Sequence, residues 1–368
     1  MHPVTRLLRL PAISLIINTM KQTFLSCKSG NPVYLSLLLL MAGIIAWHTG
    51  TAQQLPAATI KTGGVQMVSI TTPKGNFNVW TKRVGNNPKI KVLLLAGGPG
   101  VSHEYLECFE SFFPKEGIEF IYYDQLGCGY SDKPNDTALY SLSRSVDELE
   151  QVRKALHLDK ENLILWGHSW GGILAMQYAL KYQSHLKALI ISNMVSNMKV
   201  YNSYASDVLE KQIPASALDS IRQYETRGEF TNPAYEALMF QHYFAQVVCR
   251  IPVPEWPEPF VRAFRGINRE YGDYMVGPDQ FVISGQLATW HVDDQLPQLT
   301  VPTLTIGARY DYMNPGHMQW MATQVKNGSF LYCPGGSHLC FYDDQKTYMD
   351  GLLKYIHGIA NGQKKVAL

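Results

Sequence analysis

The sequence predicts an α/β fold with a mostly parallel central sheet, helices on both faces and an inserted helical cap. Three observations predict it. Strand-like and helix-like segments alternate from about Lys61 onward. Several strand-like segments are continuous apolar runs, as expected of parallel strands buried on both faces. The alternation breaks near Met198 and returns after about Gly285.

The elements follow in chain order. "VQMVSITT" and "GNFNVWTKRVG" read as paired strands joined by the turn "PKG". "KIKVLLLAG" and "IEFIYYD" are buried strands. "SLSRSVDELEQVRKALHL" is a helix, with Leu142, Val146, Leu149, Val152 and Leu156 at helical spacing. "NLILWG" is a strand, "GGILAMQYALKY" a helix and "LKALIISN" a strand. Residues 197–285 are rich in Tyr, Glu, Arg and Pro, show helical stretches, and contain the connector "IPVPEWPEP". "VPTLTIGARYD" and "GSFLYCPGGSH" then restore the strands. The predicted organisation is a leader over 1–52, a first core part over 53–196, a helical insertion over 197–285 and a second core part over 286–368.

The 368 residues are 46% hydrophobic and 17% charged, enough for a large core. The net charge of +2 shows no basic cluster for nucleic acid. Arg6, Arg9, Lys21 and Lys28 are the charged residues before Gln53, and removing those four leaves a net −2. These basic residues, the apolar run "VYLSLLLLMAGIIAW" and the small residues before "QQ" form an export signal pattern. The expectation is a removed leader and a periplasmic or secreted protein, with no stable span after removal. An uncleaved N-terminal anchor is the alternative. Five cysteines follow the leader, Cys108, Cys128, Cys249, Cys333 and Cys340, with no CxxC pair. That is neither a disulfide framework nor a zinc site, although one bridge is compatible with export.

The chemistry centres on Gly167-His168-Ser169-Trp170-Gly171, a G-x-S-x-G pentapeptide between a predicted strand and a predicted helix. A sharp turn there strains the backbone and leaves no room for side chains beside the serine. A serine hydroxyl needs a histidine base and an orienting carboxylate, here in the chain order Ser, acid, His. Asp311 follows the strand ending near Gly307, and His338 sits in a glycine-rich loop after the last strand. Asp293, Asp294, Asp343 and Asp344 are weaker rivals for the acid. His168 is too close in the chain to serve as base and reads as loop support. His317 reads as a helix start. "HEYLE" places Glu107 where a zinc helix needs its second histidine, so no metal and no cofactor are expected. "AGGPG" offers backbone donors for an oxyanion. The backbone N–H groups of Gly98 and of Trp170, the residue after the nucleophile, are the candidates.

Three blocks, "GGPG" (97–100), "DQLGCGYS" (124–131) and "GHSWGG" (167–172), resemble the proline iminopeptidases of the α/β-hydrolase superfamily. "GPDQF" (277–281) and "GSHLCFYDD" (336–344) resemble the tricorn-interacting aminopeptidase subgroup. The resemblance runs from about residue 65 to the C-terminus. It implies a serine hydrolase that removes an N-terminal residue, often proline, from short peptides beneath a helical cap. It places the triad on Ser169, Asp311 and His338. It also implies cap carboxylates that hold the substrate's α-ammonium, since a buried cation requires an anion. Two departures stand out: Ala96 where the family has His, and Gln280 where many relatives have Glu. Glu236, Glu270 and Asp279 are candidate replacements for that anion. Tyr105, Tyr130, Trp170 and Tyr274 are candidates to wall an apolar pocket. The neutral Gln280 keeps a second reading open, an amidase or esterase acting on small non-peptide substrates. A non-catalytic ligand-binding fold is the third reading, and an intact triad argues against it.

Overall fold

A computed structural model of the chain describes residues 64–134 and 136–368. The leader expected over 1–52 lies outside the described residues. Eight strands form one sheet: β1 (Val65–Thr72), β2 (Gly75–Val84), β3 (Lys91–Leu95), β4 (Glu119–Tyr123), β5 (Leu163–His168), β6 (Ala188–Ser192), β7 (Thr303–Ala308) and β8 (Gly328–Cys333). Their order is β1-β2-β4-β3-β5-β6-β7-β8. β1 and β2 are antiparallel to their neighbours, and every pairing from β4 to β8 is parallel.

The central strands β4, β5, β6 and β7 are buried throughout, which explains their unbroken apolar sequence. Successive side chains point to opposite faces. Val92, Leu94, Ile164 and Trp166 therefore join one core, while Leu93, Leu95, Leu163 and Leu165 join the other. Helix α1 (Leu142–Ala155) turns Val146, Leu149 and Val152 into the second core. Helix α2 (Trp170–Tyr182) follows the glycine turn and is buried along most of its length.

Between β6 and β7 the chain forms a largely helical block: α3 (Met198–Tyr204), α4 (Ala215–Thr226), α5 (Pro233–Met239), α6 (Glu258–Arg265) and α7 (Arg269–Val276). Its entry and exit are stitched together. Asn197 and His291 form an antiparallel bridge, and Met198 N donates to Trp290 O at 3.1 Å. After β7 come α8 (Pro315–Gln324) and, at the end, α9 (Gln345–Ala360). Asn314 caps α8 by accepting from Gly316 N and His317 N, so His317 does lie in a first helical turn. Among the described residues no helix is long and apolar enough to cross a membrane.

The insertion docks on the core through specific groups. Asn268 caps α7, its N–H donates to Gly100 O (2.9 Å), and its side-chain amide donates to Gly127 O (3.0 Å). Arg262 on α6 pairs with Glu104 (2.7 Å) and Glu107 (2.9 Å) of the core. His338 N and Leu339 N donate to Val247 O and Val248 O, both at 2.9 Å. The cap thus holds the loop that carries the predicted base.

Candidate active site

Ser169 occupies the turn between β5 and α2 at φ 54°, ψ −125°. That conformation is costly for a residue with a Cβ, on the order of 1–3 kcal/mol. The surroundings enforce it. Ser169 N donates to Ser192 O at 3.1 Å on the neighbouring strand. A side chain at Gly167 would run into the Gly171 carbonyl, and one at Gly171 into the Leu95 carbonyl. Only glycine permits so tight a turn, and the serine is left at the head of a helix.

Asp311 follows β7, and His338 follows β8, both at the carboxyl ends of parallel strands, where crevices form in such sheets. His338 Nδ1 lies 2.8 Å from Asp311 Oδ1. A carboxylate only accepts, so Nδ1 carries the proton and Nε2 is left as the basic nitrogen. Asp311 is fully buried and has two further donors, Met313 N (2.9 Å, to Oδ1) and Asn193 Nδ2 (2.8 Å, to Oδ2). Three of its four rivals are engaged elsewhere. Asp343 accepts from Ser337 and Arg250, Asp344 from Gly335, and Asp293 from Ser196 and Asn197.

His168 has a defined structural role. Gly97 N donates to Tyr105 Oη (2.6 Å), Tyr105 Oη lies 3.0 Å from His168 Nδ1, and His168 Nε2 lies 3.0 Å from the His338 carbonyl. A carbonyl only accepts, so Nε2 carries the proton and the tyrosine donates to Nδ1. Burial, with the neighbouring His338 adding to it, holds the His168 pKa well below its ordinary value. A neutral imidazole therefore ties the GGPG loop to the loop of the base. His103 is likewise committed, to Asp124 at 2.9 Å and to a stack on Trp80.

The Gly97 N–H is committed to Tyr105, whereas Gly98 lines a cavity together with Ser169 and Trp170. The N–H of Trp170 is the first of its helix, where backbone donors have no intrahelical acceptor. Gln125 spans the two segments. Its Oε1 accepts from Trp170 Nε1 (2.9 Å), and its Nε2 points at Ala96 O (3.4 Å).

The cavity, of about 90 Å³, has Ser169 in its wall, and Asp279 and Gln280 of the cap also line it. Its remaining lining is mostly apolar: Ile173, Met194, Met198, Val276, Ile283 and Met313, with Tyr201 and Tyr312. Asp279 Oδ1 accepts from Phe281 N (2.7 Å) and Val282 N (3.3 Å), which holds the acidic side chain in place. Glu236 does not reach this cavity: it is exposed on α5 and ion-paired with Arg269 (2.9 Å). Glu270 is exposed on α7 and is not among the lining residues. Tyr130 and Tyr274 are also exposed, while Tyr105 lies behind the site in its hydrogen-bond chain. Of the four candidate aromatics only Trp170 lines the cavity.

The family comparisons decide the lineage. The alpha/beta hydrolase fold model matches residues 91–345. A proline iminopeptidase of Chitinophaga pinensis is 54% identical over 295 residues, covering 80% of this chain and 99% of that one. One from Flavobacterium johnsoniae is 50% identical, covering 80% and 98%. The chain belongs to the proline iminopeptidase family of α/β hydrolases. The fold agrees: the crystal structure of the Mycobacterium smegmatis proline iminopeptidase superposes with a TM-score of 0.72 at 26% identity, covering 81% of this chain and 99% of that chain.

Within this iminopeptidase fold, several site residues escaped sequence reading. Tyr312 packs against His338 with ring centroids 4.1 Å apart and lines the cavity beside Ser169. It is the residue after Asp311, so only its position hinted at a role. Glu225 is a further cap carboxylate, near Asp279 and paired with Arg222, but it is not among the residues that line the cavity. Burial, opposed by Arg222 and reinforced by the nearby charge of Asp279, raises its pKa. Nothing in the local sequence sets Glu225 apart from an ordinary charged helix face.

Proposed function

We propose that this protein is a serine aminopeptidase that releases an N-terminal residue, proline foremost, from short peptides through an acyl-enzyme. The observation that carries the reading is one small cavity, with apolar and polar walls, lined by both the Ser169 nucleophile and the Asp279 carboxylate. A free α-ammonium beside Asp279 leaves only the first residue's carbonyl within reach of Ser169. The 50–54% identity to two proteins named proline iminopeptidase supports the same reading.

Ser169 Oγ attacks that carbonyl while His338 Nε2 takes the hydroxyl proton. Asp311 holds the imidazole and balances its positive charge. The Gly98 and Trp170 N–H groups receive the oxyanion. His338 then gives its proton to the leaving amine, whose C–N bond breaks. Water, deprotonated by His338, opens the acyl-enzyme by the same route.

The test compares proline p-nitroanilide, alanine p-nitroanilide and N-acetylproline p-nitroanilide. The expectation is that acetylation abolishes most of the turnover. Equal rates on blocked and free substrates would sink the aminopeptidase reading in favour of a general amidase or esterase. The basic-then-apolar leader further supports export to the periplasm or medium, which fractionation of the native host would check.

A further inference from the structure

We infer that Asn193, at the end of β6, is a positioning residue for the catalytic dyad. Its side chain is completely buried and bonds to Asp311 and to the segment that carries His338, while its chain neighbour Ser192 holds the Ser169 N–H. Nδ2 donates to Asp311 Oδ2 (2.8 Å) and points at the carbonyl of Ser337 (3.4 Å), the residue before the base. Oδ1 accepts from Ser192 Oγ (2.7 Å) and Cys340 Sγ (3.3 Å). The Ser192 carbonyl in turn accepts from the Ser169 N–H. The amide orientation is fixed by chemistry: a carboxylate only accepts, so nitrogen faces Asp311 and oxygen faces the hydroxyl.

Two features make this more than packing. Asp311 Oδ1 is already bonded to His338 and Met313, so Asn193 is the described donor to Oδ2. A buried carboxylate oxygen stripped of its donor loses stabilisation of its charge. Second, the backbone of Asn193 has φ 54°, a region that asparagine and aspartate enter more readily than other residues with a side chain. The amide is thus delivered to Asp311 by a backbone turn that suits this residue type. The remaining ionisable neighbours are His168, which burial keeps neutral beside His338, and weak acids or carboxyls. Cys340, Tyr348 (through Ser192) and Tyr312 have pKa values raised chiefly by burial, and Asp343, also raised by burial, senses the charge of Asp311. None supplies a positive charge to replace the amide.

The experiment measures the rate at which a fluorophosphonate labels Ser169 between pH 5 and pH 9, in the whole protein and in Asn193→Asp and Asn193→Ala. Labelling needs the nucleophile and its base but no peptide, so the outcome is independent of the aminopeptidase assignment. Losing the donor makes the dyad hold a proton more tightly. The acid limb of the profile should move to higher pH, by about one unit in Asn193→Ala. The shift should be larger in Asn193→Asp, where a second carboxylate joins Asp311 and the labelling recovers as pH rises. Asn193→Asp keeps the shape and the backbone preference, so it reports even if the alanine variant does not fold. A limb that stays at the wild-type pH in folded Asn193→Asp overturns the assignment, whatever happens to the overall rate.

Discussion

Gln125 joins the two segments proposed to donate to the oxyanion, and replacing it with leucine tests whether that junction matters. Leucine nearly matches the volume but neither accepts from Trp170 Nε1 nor donates toward Ala96 O. Both Gln125 and Trp170 are buried, with exposures of 3% and 2%, so water does not replace the lost bond. An orphaned buried donor costs about 1–3 kcal/mol. Part of that appears as lost stability, roughly 2–4 °C of melting temperature per kcal/mol for a large domain. The remainder appears as freedom of the Trp170 segment. Losing a whole oxyanion donor costs about 10²–10³ in kcat, so a misplaced one should cost roughly 10-fold. KM should change little, because the charge on the oxygen develops only in the transition state. Steady-state kinetics on proline p-nitroanilide beside a melting curve separates the two effects. A Gln125→Leu protein with lowered melting temperature but unchanged kcat would show that Gln125 merely fills space, and the oxyanion assignment to Trp170 would lose its support.

Other changes have equally specific outcomes. Asp279→Asn should raise KM for free-amine substrates by roughly 10-fold or more, the worth of a charge-assisted hydrogen bond, and leave fluorophosphonate labelling of Ser169 intact; unchanged KM would remove Asp279 from ammonium binding. Ser169→Ala should abolish labelling and turnover while the melting temperature holds or rises, because a strained reactive site is lost. Arg262→Ala unties α6 from Glu104 and Glu107, and limited proteolysis should cut the 198–276 segment faster than in the parent protein. His168 is buried and neutral, whereas in the unfolded chain it ionises near its ordinary value of 6.5. Its contribution to stability is therefore complete above that value and lost as pH falls below it, by up to about 1.4 kcal/mol per unit; melting curves from pH 7 to pH 5 in the parent and in His168→Gln check the slope.

Most of the sheet and the placing of Ser169, Asp311 and His338 at strand ends were legible because their signals are local. Buried parallel strands are apolar runs, and the nucleophile turn needs glycines within two residues of Ser169. Asp311 and His338 declare themselves by standing just past strands. The supporting residues have no such signature. Gln125 meets Trp170 across 45 positions of sequence, and Asn193 meets Asp311 across 118. Their types are ordinary for loops, and only the sheet order brings them together. The cap was harder still. Glu236, Glu270 and Asp279 were equivalent as charged residues on helical or loop stretches, and only the fold shows that Asp279 alone lines the cavity while Glu236 serves an ion pair on the surface.

This distribution bears on how cap and core share the work. The cap supplies Asp279 and Gln280 to the cavity, in keeping with the recognition role proposed for it. It also holds the base, because the backbone of 338–339 hangs on the carbonyls of Val247 and Val248, and Ser337 Oγ donates to Val248 O as well. Movement of the segment around 247–248 therefore displaces His338 relative to Asp311 and not the cavity wall alone. Substitutions that loosen this segment should lower kcat along with substrate affinity, whereas a pure lid would change affinity only. If the proposed roles hold, three hydrogen bonds to two carbonyls link substrate recognition in the cap to proton transfer at His338.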